Sequence, residues 1–154
     1  MAAVIQVDDT DPRVLYSNNK WDVGGNGVGE FDNTTHAPLV NGSTITFSFT
    51  GTSVAWIGTI PGKPIGPPSV ISFEVDDDPT TASTVTLLQP QETTFRQTFY
   101  SSPPLPQGTH TVVAKAVNVQ TQDLMWFDYL EYTPGEGDAA SSTPSSPPSS
   151  ASPQ

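Results

Sequence analysis

The sequence contains no cysteine, which excludes disulfides, thiol catalysis and any cysteine-ligated metal. Secretion stays open, because a β-sandwich with an adequate core folds without bridges. Cations are scarce as well: 5 Lys and Arg stand against 16 Asp and Glu, giving a formal net charge of −11. Binding to a phosphate backbone needs clustered positive charge, so no nucleic-acid partner is expected. No apolar run approaches the roughly 18 residues of a membrane helix. The opening "MAAVIQV" is too short for a signal peptide and lacks its basic start. The expectation is a trimmed or partial form of a secreted protein, with any membrane anchor belonging to a longer parent. A helical period is missing too, since no segment repeats its apolar residues every 3.6 positions.

What is present points to strands. Only 34% of the 154 residues are hydrophobic and 14% are charged, the rest being rich in Ser, Thr, Pro, Gly, Asn and Gln. That balance suits an all-β extracellular module. "STITFSFTG" alternates Ile45, Phe47 and Phe49 against Thr44, Thr46 and Ser48. "SVAWIGTI" sets Val54, Trp56 and Ile60 against Ala55, Ile57 and Thr59, and "VISFEV" aligns Ile71, Phe73 and Val75 before an Asp-rich hairpin turn, "DDDP". "STVTLL", "TTFRQTFYS", "GTHTVVAKAV" and "LMWFDYLEY" complete seven or eight short β-branched and aromatic runs before residue 133. The prediction is a single β-sandwich of the jelly-roll type over residues 4–134. Residues 135–154, ending in "AASSTPSSPPSSASPQ", cannot bury enough apolar surface to offset their ordering entropy. They are predicted to be a disordered Ser/Thr/Pro stalk or linker.

Two polar stretches interrupt the strands, Ser17 to Ser43 and Pro61 to Ser69. Loops longer than about 12–15 residues are uncommon unless functional or disordered, so a ligand site is expected there. Within the first, Trp21 has no alternation partner demanding a core position and is the expected sugar-stacking platform. Asp32, Asn33 and His36 from the same loop would hydrogen-bond hydroxyls. Trp56 and Trp126 are read as structural, and His110 as a hydrogen-bonded structural residue. Arg96 either pairs with a buried acid such as Asp128 or lines a binding face. Asp8, Asp9 and Asp11 form either a solvated turn or, with Asp128 on a neighbouring last strand, an oxygen site for a structural calcium ion. No other cofactor is expected. Asn33 in "NTT" and Asn41 in "NGS" are glycosylation sequons.

The blocks "DDTDPRVLYS", "DNTTH", "FTGTSVAWIGTI", "TTFRQTFYSSPPLPQGTHTVV" and "WFDYLEYTP" resemble the ectodomains of fungal, mainly basidiomycete, cell-surface proteins. They are also similar to the galactose-binding-like jelly roll of carbohydrate-binding modules, over residues 7 to 134. The resemblance implies a sandwich joined to a Ser/Thr/Pro stretch and, in the parent protein, a single transmembrane helix. It also implies a glycan or cell-wall polysaccharide as partner. The chain departs from the pattern at "DDDP", where members often carry a glycine turn, and at Ile57, where they carry an aromatic residue and this chain has its tryptophan at 56.

Three functions follow. The leading one is non-catalytic, lectin-like carbohydrate binding at the cell surface or outside the cell. The second is a structural or sensor ectodomain that binds another protein, which would pack its loop aromatics inward. The third is a glycoside hydrolase or esterase, which requires two converging carboxylates about 5–9 Å apart or a triad. The triad has no G-x-S-x-G signature here.

Overall fold

The structure, a computed structural model, describes residues 3–17, 21–25, 29–62, 67–87, 90–119 and 125–135. The predicted tail beyond residue 135 lies outside the described residues. Ten strands follow in order: β1 (Ile5–Asp8), β2 (Leu15–Tyr16), β3 (Trp21–Gly24), β4 (Thr35–Pro38), β5 (Thr44–Ile60), β6 (Ser69–Val75), β7 (Asp78–Leu87), β8 (Thr94–Ser101), β9 (Gly108–Asn118) and β10 (Trp126–Pro134). Among the described residues the only helical element is a 3₁₀ turn at Phe31–Asn33. No helix there is long and apolar enough to cross a membrane.

Strand β5 organises the sandwich. The two runs "STITFSFTG" and "SVAWIGTI" form one strand of 17 residues, not two. Its first half pairs with β2 and β9, and β9 continues to β6 and β7. Its second half pairs with β10 and β8, and the far side of β10 carries β1 and, through β4, β3. The two halves therefore belong to two layers, and aromatic rings fill the space between. Trp56 from one layer meets Phe73 from the other at 5.6 Å, Phe73 stacks on Tyr100 at 4.9 Å, and Tyr132 meets Phe47 and Phe49 at 5.9 and 5.4 Å. Trp56, Phe47, Phe73 and Phe127 are the largest fully buried side chains, so the structural reading of Trp56 holds.

The period-two reading succeeds where one face is wet. Ile45, Phe47 and Phe49 are buried opposite Thr44, Thr46 and Ser48, as are Ile71, Phe73 and Val75. It is incomplete in the second half of β5, where Ile57 and Thr59 are buried along with Val54 and Trp56. The cause is a second, smaller packed surface. Ile57 pairs with Tyr129, and Tyr129 is covered by the Phe31 ring at 5.3 Å and by the Arg96 guanidinium at 5.9 Å.

The expected hairpin at "DDDP" is present, with Val75 paired to Asp78 across Asp76 and Asp77. Both turn residues have positive φ, 56° and 55°, as the favoured two-residue hairpin geometry demands. The Asp76 carboxylate accepts from the Thr111 N–H at 2.8 Å and contacts His110 Nδ1 at 2.6 Å, while His110 Nε2 meets the Pro106 carbonyl at 2.6 Å. Both ring nitrogens face acceptors, which favours the imidazolium. Burial alone would lower the His110 pKa, but the bonds to Asp76 and Pro106 outweigh it and raise it above 6.5, while His110 and the Thr111 N–H draw Asp76 below 3.8 despite its desolvation.

Two outcomes follow for stability. Asp77→Gly removes the positive-φ penalty and should raise the unfolding free energy by up to about 1 kcal/mol in a denaturant titration. Because the folded His110 pKa is raised, its stabilisation is complete below 6.5 and disappears as pH climbs through the raised value. Because Asp76 is lowered, its share is complete above 3.8 and disappears as pH falls below. The stability gap between wild type and His110→Gln, measured by thermal unfolding, should therefore be widest between these limits and narrow on either side.

Candidate functional site

A cavity of about 300 Å³ opens on the outer face of the β10 layer, lined by Gly24, Gly25, Glu30, Thr35, Thr59, Pro61, Thr93, Phe95 and Trp126. Its floor follows from strand register: Gly24 lies opposite Thr35 across β3 and β4, and Trp126 lies opposite Thr59 across β10 and β5. Directly opposed residues in an antiparallel pair project to the same face. The walls come from the two polar stretches predicted to carry a ligand, the first supplying Gly24, Gly25, Glu30 and Thr35 and the second Pro61.

Two glycines of "GGNGVG", Gly24 and Gly29, have a steric reason. A Cβ on Gly24 would lie 2.7 Å from the Trp126 indole, and one on Gly29 would lie 2.6 Å from the Phe95 ring. Each aromatic wall is thus backed by bare main chain from one loop, which fixes the ring without a competing side chain. Two hydroxyls on the lining, Thr35 Oγ1 and Thr59 Oγ1, are buried and lack a protein hydrogen-bond partner. A buried orphan of this kind costs about 1–3 kcal/mol until something bonds it.

Beside the cavity, β10 carries Asp128, which has no exposed surface. Both of its carboxylate oxygens accept from the Phe31 N–H, at 2.9 and 3.0 Å. The register of β10 against β5 shifts between Phe127 and Tyr129, the position that holds Asp128. Burial first, with repulsion from Asp9 and Glu30, pushes its pKa up to about 7 against relief from the Phe31 bond and Arg96. Asp9 is equally buried, and its pKa is raised by desolvation despite bonds from His36 Nδ1 at 2.6 Å and Thr34 Oγ1 at 2.5 Å.

The predicted site residues are placed as follows. Trp21 is half-buried, packs against the core and meets Tyr16 edge-on at 4.9 Å, with its Nε1 buried and unpartnered. His36 is held by Asp9 and stacks on Tyr16 at 4.3 Å. Asp32 and Asn33 are exposed on the 3₁₀ turn with φ of 53° and 65°. Arg96 is exposed over Tyr129. None of these five lines the cavity. Of the four carboxylates considered for calcium, Asp8 and Asp9 meet at Thr34 Oγ1, at 3.2 and 2.5 Å, and the others are turned to different partners. Asp11 turns to Arg13 at 2.9 Å, Asp9 is engaged by His36 and Thr34, and Asp128 is engaged by Phe31, although β1 and β10 are neighbours as expected. Among the described residues no group of three or more His, Asp or Glu is placed to hold a metal ion. The sequence reading passed over Trp126, Phe95 and the two threonines. The available signal was the cluster of glycines, which marks close approach of main chain to something bulky.

The sequence matches no family model and no curated protein. Solved structures are similar in fold. A family 35 carbohydrate-binding module from Clostridium thermocellum superposes with a TM-score of 0.60 at 14% identity, covering 87% of this chain and 100% of that one. The family 35 module of Abf62 from Cellvibrio japonicus gives 0.60 at 14% identity, covering 86% and 94%. A two-domain esterase active on acetylated mannans gives 0.65 at 12% identity, and the match covers 87% of this chain but 37% of the esterase. The chain therefore spans little more than a third of that enzyme's length. The shared architecture is the jelly-roll sandwich.

Asp128 yields a measurable outcome. An acid whose folded pKa is raised from 3.8 to about 7 contributes stability that is fully present below 3.8 and lost as pH rises through 7. Asp128→Asn keeps an acceptor for the Phe31 N–H and should flatten this slope, leaving the variant more stable than wild type at pH 8 in urea titrations.

Proposed function

We propose that the protein is a non-catalytic carbohydrate-binding module and that the cavity walled by Trp126 and Phe95 is its sugar site. The observation that carries this reading is the pairing of an aromatic wall, Trp126 and Phe95, with the acidic Glu30 in one cavity. Pyranose rings present apolar C–H faces to aromatics and hydroxyls to polar groups, so one ligand satisfies both demands. The named carbohydrate-binding modules among the structural neighbours favour the same reading. Asp32 and Asn33, on the turn between Glu30 and Thr35, are the contacts a longer glycan would meet next. Weak affinity at one site would be raised by multivalency in a larger assembly. The reading places the module outside the cell or at a fungal cell surface, carried on a Ser/Thr/Pro-rich stalk, with a cell-wall polysaccharide as partner.

The inward packing of Trp21 favours the alternative of a protein-binding ectodomain, for which no sugar would register. Hydrolysis by paired carboxylates needs a second acid at the cavity, and among its described lining residues Glu30 is the sole carboxylate.

A glycan array followed by isothermal titration tests the site. Trp126→Ala should weaken binding roughly tenfold. Glu30→Gln keeps side-chain shape, removes a cavity charge and relieves its repulsion of Asp128, so it should reduce affinity without lowering the melting temperature. Sugar binding untouched by both substitutions would remove the cavity from consideration.

A further inference from the structure

Among the described residues, three of the six exposed large apolar side chains lie on two adjoining segments and none of the three lines the cavity: Leu39 and Val40 in the turn after β4, and Val117 near the end of β9, 36%, 39% and 45% exposed. Main-chain bonds bring these segments together. Gly42 N–H donates to the Ala116 carbonyl at 2.7 Å, and Ala116 N–H donates to the Ser43 carbonyl at 2.9 Å. Between the apolar residues sits Asn41, exposed, with its Oδ1 accepting from the Val119 N–H at 2.9 Å. That bond fixes the amide plane. It commits the carbonyl oxygen to the protein, and among the described residues nothing bonds Nδ2.

We propose that Asn41 carries an N-linked glycan whose first sugars lie over Leu39, Val40 and Val117. The sequon "NGS" supplies the recognition signal. In the modification, Nδ2 attacks the anomeric carbon of a lipid-linked oligosaccharide pyrophosphate. A C–N bond forms, the C–O bond to pyrophosphate breaks, the pyrophosphate leaves with the electron pair and the amide loses one proton. The carbonyl oxygen is untouched, so the Val119 bond survives and holds the first sugar against β9. An N-acetylglucosamine ring offers an apolar face, and the exposed valines offer it a surface that would otherwise stay wet. Asn33, the other sequon, sits at a left-handed position on the 3₁₀ turn, with none of the six exposed large apolar side chains within five residues of it in sequence. The inference rests on the extracellular placement proposed above and is independent of the cavity.

Ser43→Ala is the informative variant. It destroys the sequon but leaves Asn41 and its hydrogen bond intact, and Ser43 Oγ is a buried hydroxyl without a partner, so folding loses nothing. The chain is produced through a eukaryotic secretory pathway as wild type, Ser43→Ala and Asn33→Gln, and read by intact mass and by fluorescence of the neutral dye Nile red. The expected result is loss of one N-glycan in Ser43→Ala with a rise in dye fluorescence of about twofold or more. Endoglycosidase treatment of the wild type should give the same rise, and Asn33→Gln should give none. An unchanged mass in Ser43→Ala, loss of the glycan without a rise in dye signal, or an equal rise in Asn33→Gln would each overturn the proposal. Sugar titration of Ser43→Ala reports separately on the cavity.

Discussion

The arrangement of the candidate site depends on one hydrogen bond. The buried Asp128 carboxylate takes the Phe31 N–H on both oxygens and so fastens the segment between β3 and β4 to β10. Through that contact Phe31 covers Tyr129, Glu30 reaches the cavity, and the glycine loop is held against Trp126 and Phe95. The bond has a cost. A carboxylate without solvent among other acids is stabilised mainly when protonated, which is the meaning of its raised pKa. The fold retains an unfavourable group because the group positions a loop that has little apolar surface of its own.

Asp9 repeats the logic one strand away. It too is fully buried, and it is matched by a histidine and a threonine from β4 and the residue before it. Together the two acids stitch β1, β4 and β10 to the loop, with His36 and Tyr16 stacked beside them. In this corner polar bonding replaces the aromatic packing that joins the two main layers, and the residues that looked like ligands for sugar or metal are engaged with one another.

Strand positions and core were legible where alternation is simple. Ile45, Phe47, Phe49, Ile71, Phe73 and Val75 sit on the inner faces because their opposite faces are wet, and period two then has a single meaning. Strands β3 and β4 were not legible, since four-residue segments such as "WDVG" and "THAP" carry no alternation and exist through pairing with each other. The site was half legible. Loop length and composition pointed to segments that wall the cavity. The aromatic wall did not follow, because Trp126 looks like a core residue within "WFDYLEY" and only its register opposite Thr59 and its backing by Gly24 turn it outward.

Strand β5 has a consequence for how the molecule assembles. One continuous strand is shared by both layers, and β1 closes on β10 with Ile5 opposite Tyr132. Neither layer can complete its hydrogen bonding without the other, and much of the pairing joins distant parts of the chain. Such topology makes folding slow and strongly cooperative, since loop closure precedes most of the gain. The amides at the centre of β5 should then be the last to exchange with solvent, opening only when the whole sandwich does.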